Sequence, residues 1–248
     1  MTISSTNSVV FLMGPTASGK TELALEMYNQ LDASLISVDS ALIYRGMDIG
    51  TAKPSKVTLE NYPHALIDIC EPDESFSVNQ FVSLAKQHIE SALNAGKLPI
   101  LVGGTSFYFN ALEHGLSELP ESTKDSRKYF NDRLKNQGSE KLHSQLLKID
   151  PISATRIHPN DSQRVTRALE VFHLSGVTLS ELQGNKNENK LNHEIKKIIL
   201  MPDRSELHQR IEQRFIEMIK DGFLDEVETL RKNKNLNLIE FYTIRCTM

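Results

Sequence analysis

The stretch Gly14-Pro-Thr-Ala-Ser-Gly-Lys20-Thr21, which directly follows the apolar run at residues 9–13, decides the fold. It has the form G-x-x-x-x-G-K-[ST] at a point where a buried strand passes into a helix, the context in which this pattern binds phosphate. The glycines let the backbone turn so that successive N–H groups point inward, and the N-terminus of the following helix adds positive potential. We therefore predict that residues 14–21, hereafter the phosphate loop, bind a phosphate group.

The two polar residues that end the loop make the prediction specific. A glycine-rich turn without a ligand would explain the glycines, but it would not explain Lys20 and Thr21 at their required offsets. We expect Lys20 to reach the outer phosphate and the Thr21 hydroxyl to ligate Mg²⁺. The predicted phosphate contacts are Gly14, Pro15, Thr16, Ala17, Ser18, Gly19, Lys20 and Thr21. The motif does not reveal which phosphate ester is bound or which bond is broken.

Composition is that of an ordinary globular protein. The chain has 248 residues, of which 39% are hydrophobic, enough for one elaborated domain or two small ones. Cys70 and Cys246 have no metal-binding or redox spacing, so we expect a reduced cytoplasmic protein, and no segment has the length or flanks of a membrane span or signal peptide. The net charge of −4 argues against nucleic-acid binding through overall positive charge but leaves room for a local basic face.

Short apolar runs alternate with helical patterns along most of the chain. The predicted strands are residues 9–13, 35–38, 65–69, 98–102 and 195–201, and each run is too continuous for a strand with one wet face. Ser77 and Gln80 form a predicted capping box for one of the intervening helices. Strand–helix alternation of this kind indicates a parallel sheet covered by helices on both faces.

The alternation stops between the fourth and fifth predicted strands. Residues 116–191 contain no convincing strand, and we predict helices at residues 124–137, 140–149 and 162–175, followed by a polar loop at 184–194. We therefore predict a discontinuous core domain, residues 1–117 and 193–248, interrupted by an all-helical insertion at residues 118–192. After the insertion, Ser205 is the predicted cap of a helix that Gly222 ends.

Asp39 follows the second predicted strand, at the sheet edge where open α/β proteins bind ligands. Three roles are open for it: a magnesium ligand, a cap for the following turn, or a base that accepts a proton from a nucleophile as it attacks. The fourth strand ends in Gly103-Gly104-Thr105, without the acidic residue that many nucleotide-hydrolysing proteins place there. The two glycines suit either close approach of a ligand or tight packing at the strand end.

Six blocks of the sequence, in order and with matching spacing, resemble the tRNA dimethylallyltransferase family. They are residues 14–21, 36–54, 63–81, 101–112, 157–172 and 207–227. The resemblance implies a P-loop NTPase-like α/β fold with a helical insertion, acting on dimethylallyl diphosphate and the anticodon stem-loop of tRNA. The implied reaction transfers the dimethylallyl group to N6 of the adenosine on the 3′ side of the anticodon and releases diphosphate.

The resemblance also assigns roles to individual residues. Lys20, Thr21 and Mg²⁺ neutralise the departing diphosphate, Asp39 takes the proton from N6, and Thr105 belongs with them as a catalytic residue. Arg204 could reach the diphosphate or simply pair with Asp203. The implied tRNA contacts are Asp39, Ser40, Ala41, Leu42, Thr105, Arg127, Gln163, Arg164, Val165, Thr166, Arg167 and Arg245. Lys53 suits either a phosphate or RNA contact or an ordinary surface position, and His64 is interpreted as structural.

The chain departs from the family at its end, where relatives continue from Arg-Cys into Val-Gly-Tyr-Arg and this sequence reads Arg245-Cys246-Thr247-Met248. We expect diphosphate binding to survive this difference and tRNA modification to be weakened or absent, in a protein that is monomeric and has no membrane partner. Two other functions stay open. One is a small-molecule kinase in which the loop binds ATP and Asp39 activates a hydroxyl; the other is an inactive tRNA-binding protein.

Overall fold

The structure is a computed structural model that describes residues 7–184 and 190–233. Its strands are β1 (Ser8–Met13), β2 (Ala33–Val38), β3 (His64–Ala65), β4 (Leu98–Gly103) and β5 (Glu194–Ile199). Its helices are α1 (Lys20–Gln30), α2 (Lys56–Asn61), α3 (Val78–Asn94), α4 (Ser106–His114), α5 (Lys124–Gln137), α6 (Ser139–Ile149), α7 (Pro151–Arg156), α8 (Ser162–Ser175), α9 (Leu179–Gly184), α10 (Arg204–Lys220) and α11 (Phe223–Arg231).

The five strands form one parallel sheet in the order β3-β2-β4-β1-β5, which confirms the predicted fold class. Strand β4 lies between β1 and β2, so the segment after β4 separates the phosphate loop from Asp39. All five carboxyl ends meet at the same edge of the sheet. The segments at this edge therefore include the phosphate loop, Asp39, Thr105 and the residues that connect β5 to α10.

The central strands are buried on both faces, which is why their sequences are continuously apolar. Val10 and Leu12 pack into one layer with α1, while their neighbours Val9 and Phe11 are equally buried on the other side. Strand β5 does not follow this prediction. It is an edge strand in which Ile199 is 57% exposed, because only β1 pairs with it among the described residues.

The third predicted strand is much shorter than residues 65–69. Only His64 and Ala65 pair with β2, because Leu66 and Asp68 both have positive φ, 67° and 54°, which an extended strand does not permit. Beyond the strand, the chain continues to follow the segment after β2 through hydrogen bonds from Asp68 N to Leu42 O and from Ile69 N to Ile43 O.

Helix boundaries agree closely with the sequence where capping signals are present. The predicted ends of α5 and α8 match, and Ser77 and Gln80 form the expected capping box of α3. The cap predicted at Ser205 is wrong. Helix α10 already begins at Arg204, and Asp203 occupies its N-cap position without a side-chain hydrogen bond.

The chain divides into two compact units. One, hereafter the core unit, contains residues up to His114 and from Leu191 onward, and the other, hereafter the helical unit, comprises residues 115–190. The second unit is entirely helical over its described residues and has its own core. That core is formed by Phe130, Leu142, Leu146, Ala154, Val165, Ala168, Leu169, Val171 and Leu179. No helix in the described ranges is long and apolar enough to cross a membrane.

Candidate active site

The phosphate loop makes a tight turn that depends on its glycines. A Cβ on Gly14 would lie 2.6 Å from the carbonyl oxygen of Leu200, just beyond β5, and Gly19 has a φ of 87°. Ala17 also has positive φ, 61°, which costs a non-glycine residue conformational energy. Strained backbone of this kind often accompanies ligand-binding loops, and here it lies in the segment that the sequence predicts to hold phosphate.

Lys20 folds back over the loop. Its ammonium donates to the Pro15 carbonyl at 2.6 Å and lies 3.5 Å from the Ser18 hydroxyl. Burial lowers the pKa of Lys20; the nearby charge of Asp39 raises it, and that of Arg214 lowers it. The Lys20 ammonium therefore lies close enough to Asp39 and Arg214 for their charges to affect its pKa. Thr21, in the first turn of α1, is exposed and leaves its hydroxyl accessible to a ligand.

Asp39 and Thr105 together organise the ends of β2 and β4. One carboxylate oxygen of Asp39 accepts hydrogen bonds from Ala41 N at 2.8 Å and Leu42 N at 3.3 Å, so the predicted capping role is real. The other oxygen has no hydrogen bond to the described residues. The Thr105 hydroxyl accepts from Ser40 N at 3.1 Å, and its own proton remains available as a donor.

The two glycines at the end of β4, Gly103 and Gly104, have different surroundings, and each fits one of the two alternatives that the sequence left open. A Cβ on Gly103 would lie 2.0 Å from the Val38 carbonyl oxygen, so close strand packing alone requires glycine there. Gly104 is exposed, and a Cβ on it would meet only the Gly14 carbonyl oxygen at 3.4 Å. Packing therefore explains Gly103, and Gly104 borders the phosphate loop.

The sequence reasoning missed Arg214, which α10 brings to the same edge. Its guanidinium lies 3.5 Å from the Thr51 carbonyl oxygen through Nη2, while Nε is buried without a hydrogen-bond partner in the described ranges. Burial lowers the pKa of Arg214, whereas the charges of Asp39 and Glu22 raise it. A buried N–H without an acceptor is uncommon and suits a site that an anion completes.

Arg210 lies one turn before Arg214 and contacts the phosphate loop itself, through Nη1 and the Ala17 carbonyl oxygen at 3.5 Å. A sequence signal for both arginines exists. A helix that follows a parallel strand beside β1 starts at the carboxyl edge of the sheet, and arginines spaced i, i+4 share one face.

Three further predicted residues have plain placements. Arg204 is exposed at the first position of α10. Lys53 is not a surface lysine: its side chain is 3% exposed, and its ammonium donates to Tyr44 O, Asp48 Oδ1 and Asp68 Oδ1, which uses all its protons. In His64, Nδ1 contacts Tyr62 O at 2.6 Å and burial lowers the pKa, as suits a structural histidine.

Two of the predicted tRNA contacts in the core unit, Ala41 and Leu42, are held mainly through their backbone atoms. Ala41 is buried, so its side chain is a packing group and only its backbone borders Asp39. Leu42 is half-buried, and its carbonyl oxygen is held by Asp68 N at 3.1 Å. Arg245 lies outside the described residues.

In the helical unit, the segment at residues 163–167 contains both exposed and buried side chains. Gln163 and Arg164 are exposed, and Arg164 pairs with Asp161 at 2.9 Å. Val165 is fully buried and its side chain packs in the core of this unit, so the structure leaves its tRNA contact a prediction from the resemblance. The Thr166 hydroxyl donates to Ser162 O at 2.7 Å.

Arg167 is held by its own unit. It donates to Glu170 at 2.8 Å and to Pro120 O at 2.7 Å. The buried Glu170 also accepts from the hydroxyls of Ser122 and Ser126, and these hydrogen bonds lower its pKa against the effect of burial. Arg127, exposed on α5, donates to the Ser122 hydroxyl. This network ties α5 to α8 and fixes the two arginines relative to each other.

The oxygen groups at the sheet edge fit Mg²⁺ in one particular way. No three histidine, cysteine, aspartate or glutamate side chains converge among the described residues, so the chain offers no dedicated metal cage there. Mg²⁺ is commonly bound by one or two protein oxygens together with substrate phosphates and water. The exposed Thr21 hydroxyl beside the phosphate loop suits that arrangement.

Comparison with known proteins gives consistent matches over most of the chain. A family model described as IPP transferase matches residues 42–246. A protein of Ruthia magnifica subsp. Calyptogena magnifica named tRNA dimethylallyltransferase is 62% identical over 237 residues, 96% of this chain and 77% of that protein.

Two solved structures share the fold. The crystal structure of tRNA delta(2)-isopentenylpyrophosphate transferase from Staphylococcus epidermidis superimposes with a TM-score of 0.61 at 34% identity, covering 93% of this chain and 75% of that one. A eukaryotic dimethylallyltransferase acting on tRNA gives a TM-score of 0.73 at 28% identity, covering 91% and 56%. These matches confirm the resemblance drawn from the sequence: the chain belongs to the IPP transferase family.

Proposed function

We propose that this protein transfers the dimethylallyl group of dimethylallyl diphosphate to N6 of the adenosine on the 3′ side of the anticodon in tRNA, with release of diphosphate. In this reaction the bond between C1 and the bridging oxygen breaks and a bond between N6 and C1 forms. The observation that carries the proposal is the convergence of the phosphate loop, Lys20 and Arg214, whose Nε has no hydrogen-bond partner among the described residues, at one sheet edge next to Asp39.

The phosphate loop and its cations hold the leaving group. Diphosphate departs with negative charge, and preorganised donors lower the barrier most where charge develops. Lys20, now folded onto Pro15 O, turns toward the phosphates when they bind, and the Arg214 Nε–H, which has no acceptor within residues 7–184 and 190–233, donates to them as well. The Thr21 hydroxyl would hold Mg²⁺ together with phosphate oxygens, and the metal ion would supply further charge neutralisation.

Asp39 serves the nucleophile. Adenine N6 is a weak nucleophile that becomes acidic as its bond to C1 forms, so a carboxylate placed beside it can accept the proton. The oxygen of Asp39 that binds Ala41 N and Leu42 N fixes the carboxyl group, and the other oxygen accepts the proton. Thr105, whose hydroxyl proton is uncommitted, donates to the substrate beside it.

The helical unit supplies tRNA contacts through its exposed polar side chains. Arg127, Gln163 and Arg164 are exposed, and arginine and glutamine side chains of this kind donate hydrogen bonds to phosphate oxygens. A base in an anticodon loop is already partly unstacked, so moving it into a protein pocket costs only a few kcal/mol. The net charge of −4 is compatible with this because the contacts are local.

The test is an assay for diphosphate release with each substrate alone and with both. We expect release only when dimethylallyl diphosphate and an unmodified anticodon stem-loop are both present, and mass spectrometry of the RNA should show one added dimethylallyl group. ATP replaces the prenyl donor in a parallel reaction. Consumption of ATP without RNA would favour the kinase alternative. Absence of RNA modification would contradict the proposal and would instead agree with the expectation, drawn from residues 245–248, that modification is weakened or absent.

A further inference from the structure

Glu226, on α11, joins two parts of the core unit that lie far apart in the sequence. Its carboxylate accepts hydrogen bonds from three successive backbone amides: Asp48 N at 2.8 Å and Ile49 N at 2.7 Å through Oε2, and Gly50 N at 3.0 Å through Oε1. Successive N–H groups that converge in this way form an anion-binding concavity. Here the anion is a side chain from a helix more than 170 residues further along the chain.

The turn that Glu226 holds, residues 48–51, is fixed on its other side by the buried Lys53. The Lys53 ammonium donates to Asp48 Oδ1 at 2.7 Å and to Tyr44 O at 2.7 Å. The half-buried Glu226 and the buried Lys53 therefore both hydrogen-bond to the same turn. A turn restrained this strongly is suited to holding another group in place.

The group that the turn holds is Arg214. The Thr51 carbonyl oxygen, one residue after the last amide bound by Glu226, lies 3.5 Å from Arg214 Nη2. Helices α10 and α11 meet at Gly222, where an added Cβ would lie 3.9 Å from Ile49 Cδ1, so the helix corner packs on the same turn. Glu226 thus sets both the position of Thr51 and the position of the helix pair that carries Arg214.

We propose that Glu226 is a positioning residue for diphosphate binding: by holding residues 48–50 against α11, it keeps the Arg214 guanidinium directed at the phosphate loop. This rests on the proposed function, in which Arg214 contacts the diphosphate end of the substrate. Glu226 itself touches no substrate. Its effect passes through the Thr51 carbonyl and the helix corner to Arg214.

The test compares Glu226→Gln with Glu228→Gln, which removes the same charge from an exposed position on the same helix. Glutamine keeps one acceptor oxygen but places an NH₂ group against the amides. We expect Glu226→Gln to weaken binding of inorganic diphosphate about tenfold in calorimetry, as is common within one contact network, and Glu228→Gln to bind like wild type. Thermal unfolding of both variants checks that each is folded.

A double-mutant cycle separates positioning from a general loss of stability. In an Arg214→Lys background, Glu226→Gln should cost less than about twofold further in diphosphate affinity, because the residue through which it acts is already altered. A full additional loss in that background would overturn the inference, as would equal affinities of Glu226→Gln and Glu228→Gln.

The two proposals fail in distinguishable ways. Wild-type protein that binds diphosphate but transfers no dimethylallyl group contradicts the proposed function and leaves the binding cycle intact. Wild-type protein that transfers the group while Glu226→Gln binds diphosphate normally contradicts only the role of Glu226. Wild-type protein that binds no diphosphate overturns both.

Discussion

At the scale of single residues, Asp39 has the capping role that the sequence offered as one alternative, and its geometry is compatible with the proposed role as a base. One carboxylate oxygen caps the turn at Ala41 and Leu42, and the other is left for chemistry. A carboxylate fixed by one oxygen cannot rotate freely, so its free oxygen has a defined direction. The capping role therefore supports the proposed role as a base.

Asp39→Asn separates these two roles. Asparagine keeps the oxygen that accepts from Ala41 N and Leu42 N but loses the ability to take a proton. We expect the single-turnover rate of dimethylallyl transfer to fall about 10²–10⁴-fold, the usual contribution of a general base, while diphosphate affinity and thermal stability change little.

The matched control is Asp32→Asn, an exposed aspartate at the opposite end of β2, which should transfer at the wild-type rate. Transfer by Asp39→Asn at a rate close to wild type would remove Asp39 from the mechanism.

The residues that the sequence could predict are those whose roles are encoded locally. Lys20 and Thr21 follow from fixed offsets within eight residues, and Asp39 follows from its place after a strand. Arg214 and Glu226 could not be found in this way, because their partners at Thr51 and residues 48–50 lie more than 160 positions away. No periodicity or spacing records such a contact.

At the scale of elements, the site depends on how closely strand ends approach. The Val38 carbonyl oxygen occupies the space where a side chain on residue 103 would lie, and Thr105 N donates to the same oxygen at 3.3 Å. The backbone of β4 thus holds the end of β2 just before Asp39. The close packing of the ends of β2 and β4 therefore also fixes the position of the site residues that follow them.

Gly103→Ala should therefore be far more damaging than Gly104→Ala. The added methyl group at residue 103 collides with backbone that cannot move independently, and we expect a loss of about 1–3 kcal/mol in the free energy of unfolding, as for other overpacked sites. Gly104→Ala should remain close to wild type. Urea denaturation of the two variants measures the difference, and equal stabilities would show that the strand ends are looser than described.

Elements were predictable where burial or capping was strong. Strands β1, β2 and β4 are buried on both faces, so their continuous apolar runs predict them. Helix α3 is predicted by its capping box. Strand β3 was overestimated because positive φ at Leu66 and Asp68 leaves no signal in apolar patterning. Strand β5 has a buried-looking sequence but lies at an edge, since position in the sheet is a property of the whole fold.

At the scale of the whole molecule, the chain consists of a sheet-based unit with the phosphate loop and a helical unit with exposed cationic side chains. The sheet unit resembles nucleotide-binding folds, and the phosphate loop taken alone would suit an ATP-dependent kinase. The neighbouring groups argue otherwise: β4 ends without an acidic residue, and Asp39 faces the cations that would hold a leaving diphosphate.

The central claim is that the phosphate loop holds a departing diphosphate and transfers no phosphoryl group. The most direct measurement uses dimethylallyl diphosphate labelled isotopically at the oxygen that joins C1 to phosphorus, incubated with the protein and an anticodon stem-loop. Cleavage between C1 and that oxygen predicts that the label appears entirely in the released diphosphate, with an unlabelled dimethylallyl group on the RNA. Label retained on the five-carbon product, together with a phosphorylated acceptor, would contradict the account.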